Sequence, residues 1–166
     1  MNKRPALVAT VAALMLVGAS SAGLPQTAPQ PEGLPATAPY LMTLGDMMNT
    51  FIQPRHAKLG LAGQAQNWAL AAYAVAEIRQ SFAGIIKAQP KFGGMPVGEL
   101  FDAALGQPLN ALDAAIKDQD PQHFAKAYDQ LSQGCNACHM ELNHPFVVIK
   151  TPEASAFPNQ DFKPGQ

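Results

Sequence analysis

Cys135, Cys138 and His139 carry the most pointed chemistry in the chain. They stand in the run Cys135-Asn136-Ala137-Cys138-His139, and the 166 residues hold no other cysteine. A C-x-x-C-H run is the pattern by which a c-type haem is attached. The two thiols add to the porphyrin vinyl groups as thioethers, and the imidazole that follows takes the iron as proximal ligand. The spacing suits a helix. Positions i, i+3 and i+4 share a face, so one turn can hold the macrocycle edge and coordinate its metal. Three other chemistries use paired cysteines. A thioredoxin-type couple wants a βαβ setting, which this sequence does not offer. Zinc wants a second pair of Cys or His at ligand spacing, which is missing. A plain disulfide suits an exported protein and stays open on the motif alone.

The elements that must position these groups are helical. Four stretches show helical periodicity and no convincing alternating strand is legible. The first covers about residues 41–61, with Leu44, Met48, Phe51, Ile52 and Leu59 near helical spacing. Pro54 should kink or interrupt it, and Gly45, Gly60 and Gly63 weaken it. The second covers about 67–88, with Trp68, Val75, Ile78, Phe82 and Ile85 as its stripe. Pro90, Gly93, Gly94 and Pro96 then mark a loop. The third covers about 97–117, with Leu100, Phe101, Leu105, Leu109, Leu112 and Ile116 apolar and a kink expected at Gly106 and Pro108. The fourth starts at Asp120 as N-cap with Pro121 in the first turn. Its seam, Phe124, Tyr128, Leu131, Cys135, Cys138 and Leu142, steps by four and three, so the cysteines point inward. Four such helices with short loops predict an all-α fold, an antiparallel four-helix bundle over residues 41–144. The haem then lies near the C-terminal end of the last helix. Residues 145–166 read as an irregular tail. In it Phe146-Val147-Val148-Ile149 packs along the bundle or pairs weakly as a strand, and Phe157 and Phe162 serve as anchors.

The bundle geometry also selects candidates for the sixth position on the iron. The first and last helices are antiparallel neighbours, so the N-terminal half of the first faces His139. Met48 shares a face with Leu44 and Ile52 and is the leading candidate; a thioether opposite imidazole gives a low-spin iron of raised potential. Met47, on the face of Leu44 and Phe51, and His56, just past Pro54, are the alternatives. Arg55 and Lys58 are the nearest cations for the haem propionates. His144 reads as a haem-edge or surface residue and His123 as solvated. Met140, about 100° round from its neighbour His139, cannot reach the same iron.

With its C-x-x-C-H run near the end of the last of four helices, the chain resembles the class II c-type cytochromes, a group that includes cytochrome c-prime and Met-ligated low-spin relatives. The stretches Gln53-Pro54-Arg55-His56-Ala57-Lys58-Leu59, Ala62-Gly63 and Asn67-Trp68-Ala69-Leu70-Ala71 are similar to those of small exported bacterial haem proteins. The likeness covers about residues 41–162. It implies a left-handed bundle, often a homodimer, that carries electrons or binds diatomic gases, with the distal residue supplied by the first helix. One departure is visible. Cytochrome c-prime has a basic residue shortly after the ligand histidine, where this chain has Glu141, Leu142 and Asn143.

The N-terminus agrees with that compartment. Lys3 and Arg4 precede a 14-residue apolar stretch, Ala6 to Ala19, and Ser20-Ser21-Ala22 offers a cleavage site. This reads as a signal peptide over residues 1–22, too short in its apolar core to serve comfortably as a span. Residues 23–40, with five prolines, read as an extended tether. Removal of the signal takes 11 basic and 12 acidic residues to 9 and 12, so the formal charge moves from −1 to −3. No basic patch exists for nucleic acid. The expectation is a periplasmic protein without a membrane span in its mature form. It binds one haem c and passes electrons to a redox partner protein there. A gas-binding haem protein is the alternative, and a peroxidase ranks last because only His56 and Arg55 offer distal acid–base chemistry.

Overall fold

An apolar stripe at helical spacing must be buried against another element, and in a chain with four such stripes the helices can cover one another. The structure, a computed structural model, describes residues 39–165; the segment read as a signal peptide and nearly all of the proline-rich tether lie outside them. The described part is all-α apart from one short hairpin. None of its helices is long and apolar enough to cross a membrane.

The first helix, α1, has three stretches: α-helical Leu44–Met47, π-helical Met48–Ile52 and α-helical Gln53–Gln64. A capping box starts it. Thr43 Oγ1 accepts from the Asp46 N–H at 3.2 Å, and the Asp46 carboxylate accepts from the Thr43 N–H at 2.8 Å. Pro54 explains the π-helical stretch. A proline gives no N–H to the carbonyl four residues back and its ring crowds that carbonyl. The helix answers with one turn of i→i+5 spacing, in which the Gln53 N–H reaches Met48 O. So the break expected at Pro54 is a widened turn in a continuous helix.

Three more helices follow. Helix α2, Trp68–Ala88, opens on Asn67, whose side-chain oxygen accepts from the Leu70 N–H at 3.1 Å. Helix α3 is Val97–Lys117. Helix α4, Pro121–Glu141, is capped as expected by Asp120, which accepts from the Gln122 and His123 N–H groups at 2.9 and 3.0 Å. Between α2 and α3, strands β1 (Lys91–Phe92) and β2 (Met95–Pro96) pair antiparallel around Gly93 and Gly94, whose φ values of +56° and +87° suit a tight hairpin turn. Two residues per strand are too few to show alternation in a sequence, and only a loop is legible there.

Helix α3 packs on α4, α1 on α2, α2 on α3 and α1 on α4. Leu59, Ile78, Ile85, Leu112 and Leu131 are the largest of the completely buried side chains, and Phe82, Phe101, Phe124 and Tyr128 join them in the core. Two contacts depend on missing side-chain atoms. Buried Pro108 leaves the Ala104 carbonyl without its helical donor, yet α3 continues through it. That carbonyl lies against Gly134 of α4, where a Cβ would overlap it and stand 2.9 Å from Leu105 Cδ2. On the other side of α4, the Phe124 ring sits on Gly63. Of the three glycines read as weakening α1, Gly60 and Gly63 are seats for the Tyr128 and Phe124 rings, whereas a Cβ at Gly45 would meet only Thr43 Oγ1 at 3.8 Å.

The tail is anchored. Gln64 Nε2 donates to Pro152 O at 3.0 Å, and Asn67 Nδ2 donates to Lys163 O at 3.1 Å. Of the expected anchors, Phe162 packs against the core, Phe157 lies under Lys58, and the two ring centroids are 6.2 Å apart.

Candidate functional site

The end of α4 brings Cys135, Cys138 and His139 onto one wall of a cleft. Leu44, Met48, Ile52 and His56 of α1 form the facing wall; steps of four keep them on one helical face. Phe82 of α2 and Phe101 and Leu105 of α3 close the floor, and Leu142, Val147 and Ile149 form the lip. The enclosed space is about 90 Å³ and its lining is mostly apolar.

His139 is held in one tautomer. Its Nδ1 lies 2.8 Å from Val147 O. A carbonyl only accepts, so Nδ1 carries the hydrogen and Nε2 keeps its lone pair. The chain beyond α4 makes this possible. Asn143 takes a left-handed φ of +59°, His144 N–H reaches His139 O at 2.7 Å, and Val147 N–H reaches His144 O at 3.0 Å. Farther on, Asn136 Nδ2 donates to Ile149 O at 2.9 Å and Ile149 N–H donates to Asn136 Oδ1 at 2.7 Å. Phe146 and Val148 point outward, 77% and 70% exposed, while Val147 and Ile149 line the cleft. The apolar run thus alternates like a strand but pairs with a side chain.

Both cysteines are free. Burial, and then the neighbouring Cys138, pushes the Cys135 thiol up to about 12. Burial and then Glu141 raise that of Cys138. Neutral, deactivated thiols are the opposite of what a thioredoxin-type couple needs. Three or more His, Cys, Asp or Glu side chains do not gather as a metal-ligand group among the described residues.

Of the candidates on α1, Met48 lies in the cleft. Met47 is buried on another face, in a groove with Phe51 and Ile85. His56 lines the cleft but both ring nitrogens are engaged. Nε2 lies 3.0 Å from Ser132 Oγ and Nδ1 lies 2.9 Å from Tyr128 Oη. Tyr128 Oη is also 2.8 Å from His56 O, and Ser132 Oγ is 3.1 Å from Tyr128 O. Burial lowers the His56 pKa to about 4. The ring is a cross-link between α1 and α4 rather than a free ligand.

The two cations paired with propionates in the sequence reading are elsewhere. Arg55 donates to Phe51 O at 2.8 Å and meets Glu77 of α2 at 3.2 Å; Lys58 lies 4.8 Å from the centroid of the Phe157 ring. One and two residues from His56, both project off the cleft-facing side of α1. Helix geometry fixes that correction. His144 Nδ1 donates to the backbone carbonyl of Leu142 at the lip, at 2.6 Å. His123 pairs with Asp120 at 2.9 Å on the exposed start of α4, and Met140 is 62% exposed. Val147 O, Asn136, Tyr128 and Ser132 are the site groups that motif reading passes over.

No protein-family model matches the chain, and no match is found among curated proteins or among solved structures.

Proposed function

We propose that the chain is an antiparallel four-helix bundle that binds one haem c through Cys135 and Cys138 and carries electrons in the periplasm to a redox partner protein. His139 Nε2 is then the proximal ligand and Met48 the sixth. The observation that carries this is the tautomer of His139: Val147 O takes the Nδ1 hydrogen, and no hydrogen bond among the described residues engages Nε2. A proximal histidine needs that arrangement. The short connections between successive helices support the antiparallel order.

The residues fit the group in kind. Two thiols and an imidazole stand on one wall, a thioether stands on the facing wall, and the lining is apolar. The cleft is partly open and holds about 90 Å³, so the fit is one of donors and lining. When bound, haem c supplies a one-electron iron couple. The chain's own residues do the rest. Cys135 and Cys138 would fix the group to α4, His139 and Met48 would offer it an imidazole and a thioether, and Leu44, Ile52, Phe82 and Phe101 would keep water from it. A dry, apolar site disfavours the extra positive charge of the oxidised state and raises the potential.

Intact mass of exported protein tests the attachment: the chain should gain one haem, and its colour should survive acid–acetone. Two free thiols in fully matured protein would refute it. The same preparation should give a low-spin spectrum that is insensitive to carbon monoxide. Rapid carbon monoxide binding by a high-spin protein would replace electron transfer with gas binding.

A further inference from the structure

Within a C-x-x-C-H run the two intervening residues are spacers, and nothing in haem attachment asks for an asparagine there. Asn136 is nevertheless bonded twice to the backbone of one residue 13 positions on. Its Oδ1 takes the Ile149 N–H at 2.7 Å and its Nδ2 gives to Ile149 O at 2.9 Å. The orientation of the amide is fixed by its partners, because a backbone N–H only donates and a carbonyl only accepts. Asn136 acts as a one-residue strand partner. Between its two anchor points, His144 N–H on His139 O and Ile149 on Asn136, lies Val147, whose carbonyl holds His139 Nδ1. The segment has few other restraints: Phe146, Val147 and Val148 are 77%, 38% and 70% exposed.

We infer that Asn136 is a positioning residue for the proximal ligand. It clamps residues 147–149 so that Val147 O stays on His139 Nδ1, and through that bond it tunes how strongly His139 favours the oxidised iron. The inference rests on the haem reading above. The bond to a carbonyl makes an imidazole more basic, and a more basic ligand favours the higher charge. Loss of the clamp should therefore raise the potential.

The test uses the full-length exported holoprotein and the variants Asn136→Ala and Asn136→Asp. The aspartate keeps one bond, from Ile149 N–H, and turns the other into a contact between two acceptors. A control is Asn67→Ala, since Asn67 Nδ2 donates to the tail at Lys163 O, away from the cleft, while its Oδ1 caps α2. The readouts are haem content by mass, reduction potential by redox titration, and amide hydrogen exchange at residues 147–149. Both Asn136 variants should retain haem and exchange faster at 147–149. Their potential should rise, by about 59 mV for a tenfold change in relative ligation strength, the low end of what such partners do. Asn67→Ala should lower the melting temperature and leave the potential alone. If the Asn136 variants are haem-loaded with an unchanged potential, the clamp is merely structural and this proposal fails. If the unaltered protein carries no haem, the functional reading itself fails.

Discussion

Gly134→Ala is the sharpest test of how α4 is seated. The added Cβ would overlap the Ala104 carbonyl oxygen and stand 2.9 Å from Leu105 Cδ2. Comfortable separations begin near 3.5 Å, so the Leu105 contact alone asks for about 0.6 Å and the carbonyl for more. A side chain can swing away from such a contact, but a carbonyl in the middle of a helix moves only with its helix. Parting α3 from α4 by this much forfeits a quarter to a half of each contact's attraction along the interface. Overpacking of this kind costs roughly 1–3 kcal/mol. Against it stands the gain of about 1 kcal/mol that alanine has over glycine inside a helix. With backbone as the obstacle the upper part of the range applies, and the net is a loss of about 1–2 kcal/mol. The control sits on the same pair of helices. At Gly106 of α3 a Cβ meets nothing within 4 Å, so Gly106→Ala should stabilise by up to about 1 kcal/mol. Urea unfolding followed by circular dichroism reads both. If the two variants shift the midpoint in the same direction, the close approach of Gly134 to Ala104 is wrong.

Three further outcomes are expected. Met48→Ala should open the sixth site of the holoprotein, turn its absorption spectrum toward high spin and lower its potential, whereas Met47→Ala and His56→Ala should leave the ligation intact; a high-spin His56→Ala would hand the sixth position to the histidine. Leu131→Ala, at a side chain 1% exposed, should cost about 2–5 kcal/mol in the same urea assay, and no loss would put the register of α4 in error. Acid should weaken the fold through His56. Its folded pKa is lowered to about 4 from 6.5, so the unfolded chain takes up the proton first. Stability therefore falls as pH drops below about 6.5 and the loss is complete near pH 4, amounting to at most about 3 kcal/mol. His56→Gln should flatten that part of a melting-temperature profile, and a profile unchanged by the substitution would contradict the assignment.

The helices and the three motif residues are legible in the sequence because each rests on local rules. Asp120-Pro121 announces α4, and the step of fours and threes from Phe124 to Cys138 announces its buried seam. What escapes reading is contact between residues far apart. Gly63 looks like a helix weakness until Phe124, on another helix, is seen to occupy the space. Pro54 predicts trouble, but whether a helix breaks or widens depends on what packs around it. The support of His139 comes from an irregular segment, and irregular backbone leaves no period to detect. One signal was present: an asparagine inside the motif, followed beyond Pro145 by an apolar run with strand-like character. Arg55 and Lys58 fail as cleft residues on helical phase alone.

The His56 cluster holds fewer hydrogens than it has short polar contacts. Four short contacts link the His56 ring, Tyr128 Oη, Ser132 Oγ and two backbone carbonyls. With a neutral ring only three hydrogens are available to fill them: one on the ring, one on each hydroxyl. Four arrangements use all three, each leaving one contact empty, and in two of them the donors form an unbroken chain through the ring. In one the chain of donors runs from Ser132 through the ring to the carbonyl of His56; in the other it runs from Tyr128 through the ring to the carbonyl of Tyr128. Neither moves a heavy atom. This wall of the cleft is thus a reversible dipole. It can turn its positive or negative end toward whatever charge develops beside it, at the cost of shuttling hydrogens between three side chains. A proton on His56 supplies the fourth hydrogen and fills every contact, so the buried ring meets its own charged form with the right acceptors already in place.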